Sequence, residues 1–122
     1  MKLSIGVLVA VAAVAAGVFA TIGSASPQAT KIVTLTVTMT DFHFKIAPPT
    51  KFKHGVKYTF KVTNKGAALH NFDIQTVKAT KVIAHGKTTS MTVIFKKAGK
   101  YQYICDVPRH AELGMAGFLR VS

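Results

Sequence analysis

Three residues near the C-terminus of the chain have side chains that bind soft metal ions. Cys105, His110 and Met115 stand in the segment C-D-V-P-R-H-A-E-L-G-M. A thiolate, an imidazole and a thioether suit copper, Cu(I) in particular, far better than they suit calcium or magnesium. One cysteine, two histidines and a weakly bound axial methionine form the blue-copper type of site. The segment therefore predicts a copper site, and a second histidine has to come from elsewhere in the chain.

That second histidine has four candidates in the sequence: His43, His54, His70 and His85. The second and the fourth each precede a glycine, which is typical of exposed turns. His43 stands between two phenylalanines, so on a strand its side chain points away from their apolar face. His70 begins a predicted strand and is followed by Asn71. A ligand at a strand end faces a loop at the same end of a β-sandwich, which favours His70.

Alternation of apolar and polar residues predicts the elements that position these ligands. Between Lys31 and Thr40 apolar residues alternate with threonines, and the pattern continues through Phe42 and Ile46 to two prolines. A period of two is typical of half-buried strands. Turn residues separate further strands, and residues 27–122 show no helical periodicity. We expect an all-β fold, a two-sheet antiparallel Greek-key β-sandwich. The further predicted strands are Val56–Val62, Leu69–Val77, Thr88–Phe95, Tyr101–Cys105 and Gly117–Val121.

Residues 1–26 differ in kind from the rest of the chain. Lys2 precedes a run from Leu3 to Gly23 whose only polar side chains are one serine and one threonine. This layout predicts either a secretory signal peptide, cleaved after Ala20 or Ala25, or a retained N-terminal membrane anchor. In both cases residues 27–122 are expected outside the cytoplasm, in the periplasm or another extracytoplasmic space. These residues form one predicted domain after the leader.

The charge of the chain restricts its partners. Sixteen Lys and Arg residues against four Asp and Glu residues give a net charge of +12. An exported domain meets little nucleic acid, so two interpretations of the charge are left. The lysines form a generally solvated surface that keeps the protein soluble, or they attract acidic or membrane-bound partners and anionic membrane surfaces. The single cysteine, Cys105, excludes an internal disulfide bond and a lipid anchor on a leader cysteine. A lone thiol in an oxidising compartment is open to oxidation, and a bound metal would protect it.

The order of these motifs resembles the cupredoxins, the family of plastocyanin, azurin, rusticyanin and sulfocyanin. The resemblance covers essentially all of residues 27–122. It implies that His70, Cys105 and His110 are equatorial ligands of one type 1 copper ion and that Met115 is the axial ligand. Asn71 matches the family residue that ties the ligand loop to the neighbouring strand. The motifs that carry the resemblance are His70-Asn71-Phe72, Tyr101-x-Tyr103-x-Cys105, His110 and Met115.

The ligand loop departs from the plastocyanin pattern. Four residues separate Cys105 from His110 and four more separate His110 from Met115. Plastocyanin-like loops have two residues between the cysteine and the histidine, whereas this spacing is similar to that of rusticyanin and sulfocyanin. The resemblance therefore does not imply a role specific to plastocyanin, such as photosynthesis.

The function that the resemblance implies is single-electron transport between redox partner proteins by a monomer that is not an enzyme. We expect an apolar rim around the exposed edge of His110 to be the docking patch. A copper storage or delivery protein is the alternative, since the same ligands would serve it. A thiol hydrolase pair of Cys105 and His110 has no supporting motif. The expected rim residues are Pro108, Ala111, Leu113 and Met115.

Overall fold

A computed structural model of the chain describes Gly17 and residues 31–122. Except for Gly17, the predicted leader at residues 1–26 lies outside this description. The described residues contain no helix, and so no helix that could cross a membrane. They form eight strands, β1 (Ile32–Thr40), β2 (His43–Ala47), β3 (Lys57–Asn64), β4 (Asp73–Ile74), β5 (Lys78–Ala79), β6 (Thr88–Ile94), β7 (Gly99–Ile104) and β8 (Ala116–Val121).

The strands build two four-stranded sheets, with the orders β2-β1-β3-β6 and β5-β4-β7-β8. The predicted all-β, two-sheet fold is confirmed. Every named pair is antiparallel except β1 and β3, which are parallel. The reason is the hairpin between them: β2 carries the chain back towards the start of β1, so that β3 begins beside Ile32 and runs in the same direction.

The core lies between the sheets and follows the predicted alternation. Leu35, Val37 and Met39 of β1 are fully buried, while the threonines between them lie on the outer face. On β3 the side chains of Phe60 and Val62 are fully buried in the same way. Burying a large apolar side chain contributes about 1.5–3 kcal/mol, so these inward rows hold the two sheets together.

Two predicted strands are shorter in the structure. The pattern from Lys31 does not continue through residue 42, because Asp41 and Phe42 form a two-residue turn between β1 and β2. The strand expected at Leu69–Val77 is reduced to Asp73–Ile74. His70, ahead of it, pairs with Ile83 in an isolated bridge.

The sandwich has two distinct ends. β1 and β3 both end at one of them, and we call this the site end, where Thr40 and Asn64 lie. At the opposite, distal end, His54 N–H donates to the Ser122 carbonyl at 2.9 Å and Gly55 N–H donates to the Phe95 carbonyl at 2.8 Å. β8 therefore ends at the distal end, and β7, its antiparallel neighbour, delivers Cys105 to the site end.

Candidate metal centre

Three of the predicted ligands converge at the site end. The Cys105 Sγ atom lies 3.5 Å from His110 Nδ1 and 3.8 Å from His70 Nδ1, and the two Nδ1 atoms are 3.1 Å apart. Cys105 and His70 are 1% and 0% exposed, whereas His110 is 9% exposed. A buried thiol and two imidazole nitrogens thus surround one point, and only the edge of His110 reaches solvent.

The ligand loop is folded by its own backbone hydrogen bonds. Cys105 directly follows β7 and Met115 directly precedes β8, so the ends of an antiparallel pair bring them together. Cys105 N–H donates to the Met115 carbonyl, and Met115 N–H donates to the His110 carbonyl, both at 3.1 Å. The Met115 side chain is fully buried. Its backbone is therefore adjacent to two of the converging ligands, and its role as axial ligand stays a prediction.

Asn64 shapes the loop that presents His70. This residue ends β3 and is fully buried. Its side-chain amide donates to the carbonyls of Ala68 and Ile83 at 2.8 and 2.9 Å, and its side-chain oxygen accepts from Gly66 N–H at 2.8 Å. Backbone hydrogen bonds in both directions between His70 and Ile83 complete the support. The imidazole is consequently placed by a loop that the buried Asn64 side chain holds, rather than by a regular strand.

Asp41 orients the His70 ring. Its Oδ1 atom lies 2.6 Å from His70 Nε2, and its carboxylate also accepts from the backbone N–H groups of Ala67 and Ala68. The tautomer that satisfies Asp41 carries hydrogen on Nε2, which leaves a lone pair on Nδ1, the atom that faces Cys105. The hydrogen bond from His70, followed by that from Ala68, lowers the pKa of Asp41 below its usual value.

Gly66 and Phe42 enclose this hydrogen-bonded pair of Asp41 and His70. A Cβ atom on Gly66 would overlap Asp41 Oδ1 and would lie 2.8 Å from His70 Nε2, so only glycine leaves room there. The Phe42 ring packs edge-on against both imidazoles, 4.9 Å from that of His110 and 6.2 Å from that of His70, centroid to centroid. The two residues restrict the movement of His70.

Asn71 joins the His70 loop to the Cys105 loop. Its side-chain amide donates to Asp106 Oδ2 at 2.8 Å, and Asp106 N–H donates back to Asn71 Oδ1 at 2.7 Å. A third, longer contact of 3.3 Å runs from the amide to the Thr80 carbonyl. Hydrogen bonds of this kind hold ligands in place and tune a bound metal.

The pKa values of two side chains near the centre are shifted. Burial raises the pKa of Asp73 to about 6, with a contribution from the neighbouring carboxyl group of Asp106. Burial also lowers the pKa of His110, and the nearby His70 adds to this effect. A histidine that resists protonation keeps its Nδ1 lone pair available as a ligand.

The remaining histidine candidates do not join the cluster. Among the described residues, only His70, Cys105 and His110 form a group of potential ligands whose binding atoms lie within 4.8 Å of one another. His43 is exposed on β2. His54 Nδ1 contacts the Ser122 carbonyl and His85 Nδ1 contacts the Gly66 carbonyl, both at 2.8 Å.

One expectation about the surface is wrong. Met115 was expected in the exposed rim around His110, but its side chain is fully buried because the loop folds it inwards. Leu113 is 58% exposed and Pro108 is exposed, while Ala111 is partly buried. The exposed apolar residues Leu69 and Val82, next to the bridged pair of His70 and Ile83, extend the rim instead.

The sequence alone does not identify Asp41 and Gly66 as residues of the site. One signal was present: apolar residues occupy odd positions up to Met39 and even positions from Phe42 onwards. A strand cannot change the face of its apolar residues without a turn or a bulge. The change predicts a turn near Asp41, although it does not identify the partner of the carboxylate.

The donor set fits copper on its own chemistry. Two imidazoles and one thiolate in a buried cluster match the soft, trigonal ligand arrangement that copper takes in blue-copper sites. No carboxylate oxygen belongs to the cluster of converging atoms in the described part of the chain. The arrangement can therefore hold one soft ion, and Met115 stands at the end of the loop that carries Cys105 and His110.

Comparison with known proteins supports the same assignment. Residues 10–116 match the family model described as a cupredoxin-like domain. A search of curated protein sequences gives no match.

Solved structures share the fold at low sequence identity. Auracyanin A, a "blue" copper protein from Chloroflexus aurantiacus, superposes with a TM-score of 0.65 at 21% identity, covering 75% of this chain and 100% of that one. Auracyanin from Roseiflexus castenholzii gives 0.60 at 18% identity, covering 75% and 96%. Copper nitrite reductase from Nitrosomonas europaea gives 0.63 at 18% identity, covering 75% of this chain but 42% of that one.

Proposed function

Because the chain belongs to the cupredoxin-like domain family, we propose that it is a blue-copper protein that carries single electrons between partner proteins. The observation that carries the proposal is the convergence of His70, Cys105 and His110, whose ligand atoms lie within 4.8 Å of one another. Met115 completes the proposed ligand set as the axial donor.

The chain's own residues prepare the site for this role. When bound, copper supplies the one-electron couple between Cu(II) and Cu(I). Asp41 keeps His70 Nδ1 free to bind, and the hydrogen bonds between Asn71 and Asp106 hold the two ligand loops together. A support of this kind limits the rearrangement that accompanies each electron transfer, because the donors cannot follow the geometry that each oxidation state prefers.

The electron enters and leaves, in this proposal, through the edge of His110. This ring is 9% exposed, whereas His70 and Cys105 are 0% and 1% exposed. Exposed Leu69, Val82 and Leu113 border the site end. Weak redox encounters use small contact surfaces, and an apolar rim around a nearly buried ligand suits brief docking.

The proposed location is outside the cytoplasm, where the partners would be redox proteins. The nearly uninterrupted apolar run from Leu3 to Gly23, with Lys2 before it, supports export. A bound ion would also keep the lone Cys105 thiol from oxidation in that space.

Copper addition to the purified chain tests the proposal. One equivalent of Cu(II) is expected to give an intense blue or green colour and a blue-copper electron-spin spectrum. Cys105→Ser removes the thiolate and should abolish the colour, whereas His85→Ala, outside the cluster, should leave it unchanged. A colourless Cu(II) complex would contradict the proposal.

Reduction of the loaded protein separates the carrier from the alternative of copper storage or delivery. A carrier is expected to pass through repeated reduction and oxidation with its copper retained. Release of Cu(I) to a competing chelator within the time of one cycle would favour delivery, and the electron-carrier function would then be wrong.

A further inference from the structure

The charge of the chain is divided unevenly between the two ends of the sandwich. The four Asp and Glu side chains of the chain all lie at the site end: Asp41, Asp73, Asp106 and Glu112. The distal end carries half of the 16 basic residues and none of these carboxylates. The distal basic residues are Lys31, Lys51, Lys53, Lys57, Lys96, Lys97, Lys100 and Arg120.

The register of the sheets explains why the lysines gather there. Lys31 directly precedes β1, and Lys57 begins β3 opposite Ile32. Lys96 and Lys97 follow the end of β6, and Lys100 stands at the start of β7. Strands that begin or end at the distal end thus each bring basic residues to it, and these side chains are exposed except that of Lys57, which is partly buried.

Exposed apolar side chains lie among these lysines. Ile32 of β1 and Ile94 of β6 are 54% and 45% exposed. They lie on either side of Lys57 of β3 and pair with it in register. Beside Ile94 an open cleft of about 340 Å³ is bordered by Lys96 and Lys97. Surfaces that combine lysines with protruding apolar residues suit the headgroup region of a bilayer, where the apolar parts insert and the ammonium groups remain among the lipid phosphates.

The N-terminal segment joins the domain at the same end. Residues 1–30 lead into Lys31, which directly precedes β1 at the distal end. The sequence from Leu3 to Gly23 is almost entirely apolar. A segment of this composition, if retained in a bilayer, would hold the distal end rather than the site end next to the lipid.

We propose that the distal end docks on the surface of an anionic lipid bilayer and turns the metal centre away from it. Eight basic residues with no Asp or Glu side chain among them provide the attraction. The nine residues of β1, at about 3.3 Å each, separate the two ends by roughly 30 Å. This exceeds the Debye length of about 8 Å at physiological salt, so the carboxylates at the site end do not weaken the attraction.

Vesicle binding by the full chain tests the electrostatic part. Binding to vesicles of equal parts phosphatidylglycerol and phosphatidylcholine is compared with binding to pure phosphatidylcholine, so that any contribution of the apolar N-terminal segment is present in both. The variant Lys31→Gln, Lys96→Gln, Lys97→Gln is expected to bind the anionic vesicles roughly 100-fold more weakly, at about fivefold per lysine. Its matched control, Lys65→Gln, Lys81→Gln, Lys87→Gln, loses the same charge at the site end and should bind within about threefold of the natural chain.

Tryptophan reporters test the orientation, because the chain contains no tryptophan. Ile94→Trp at the distal end should shift its emission maximum to shorter wavelength with anionic vesicles and be quenched by brominated lipids. Leu113→Trp at the site end, similarly exposed in the natural chain, should do neither. Quenching is measured as the ratio of intensities on brominated and unbrominated anionic vesicles, so that quenching by a bound metal, which is common to both samples, cancels.

Several outcomes would overturn the proposal. Equal binding to both vesicle types, equal losses in the two triple variants, or a shift of the Leu113→Trp reporter would each contradict it. An Ile94→Trp emission already shifted without vesicles would mean that another segment or a second copy covers the distal end. Binding only to an acidic protein would assign the lysines to a protein partner instead.

Discussion

Asp41 Oδ1 lies 2.6 Å from His70 Nε2, on the side of the imidazole that faces away from Cys105. The two residues are 29 positions apart in the chain and meet because the β1–β2 turn and the loop after β3 lie at the same end of the sandwich. The contact decides which ring nitrogen carries hydrogen, and with it which nitrogen can bind a metal.

Replacing Asp41 by Asn should weaken the centre. The amide cannot give His70 Nε2–H a charged acceptor, so copper affinity is expected to fall by about 10–100-fold. The reduction potential should rise, because a negative charge next to the ligand favours Cu(II) over Cu(I). Competition titration and voltammetry measure both quantities.

Asp73→Asn is the matched control for that variant, since it removes a carboxylate at the same end that does not contact His70. Equal changes in the two variants would mean that only the net charge matters and that the hydrogen bond to His70 does not.

Gly66→Ala should displace the His70 ring. The added Cβ would overlap Asp41 Oδ1 and lie 2.8 Å from His70 Nε2, while the backbone of Gly66 is not in the left-handed region. The effect is therefore steric, and a destabilisation of about 1–3 kcal/mol is expected from overpacking. Denaturant unfolding of the metal-free protein measures it, with Ala67→Ser at the exposed neighbour as control. Unchanged stability together with an unchanged His70 ring signal in NMR would refute the role of Gly66.

Met115→Leu separates packing from ligation. Both side chains have similar volume, so the free energy of unfolding of the metal-free protein should change by less than about 1.5 kcal/mol. The copper-loaded variant should nevertheless have a higher reduction potential, because the axial donor is gone and Cu(II), the more electron-poor state, loses more from its removal than Cu(I) does. Met39→Leu, at another fully buried methionine of the site end, should leave the potential unchanged. Identical potentials for both variants would remove Met115 from the ligand set.

The shifted pKa of Asp73 predicts a pH-dependent stability. Because its folded value is raised to about 6, the folded state binds more protons than the unfolded state between about pH 4 and pH 6. Asp73 therefore stabilises the fold fully below this window and loses that contribution as pH rises through it. Solvent screening limits the effect to roughly 1 kcal/mol.

His110 has the opposite effect on the stability of the fold. Because its pKa is lowered in the folded state, the fold loses stability as the pH falls below the usual pKa of histidine. The measurement is therefore the difference between the natural chain and Asp73→Asn, from denaturant unfolding of the metal-free protein at several pH values. A difference that stays constant from pH 4 to pH 7 would show that Asp73 titrates normally.

Some features of this protein follow from the sequence alone because they depend on neighbours along the chain. The alternation in β1 and β6 predicts which side chains enter the core, since a strand turns successive residues to opposite faces. Cys105, His110 and Met115 stand within one short loop, so their spacing is sufficient to predict that they act together.

Other features depend on residues that are distant in the chain, and only the tertiary structure decides them. The parallel pairing of β1 with β3 results from the path of β2. Sequence position and the family resemblance favour His70, but its contact with Cys105, 35 residues away, exists only in the folded chain, and so does the contact of Asp41 with His70 across 29 residues. Hydrogen bonds and packing act through space, and one sequence does not specify those distances until the two sheets have closed on each other.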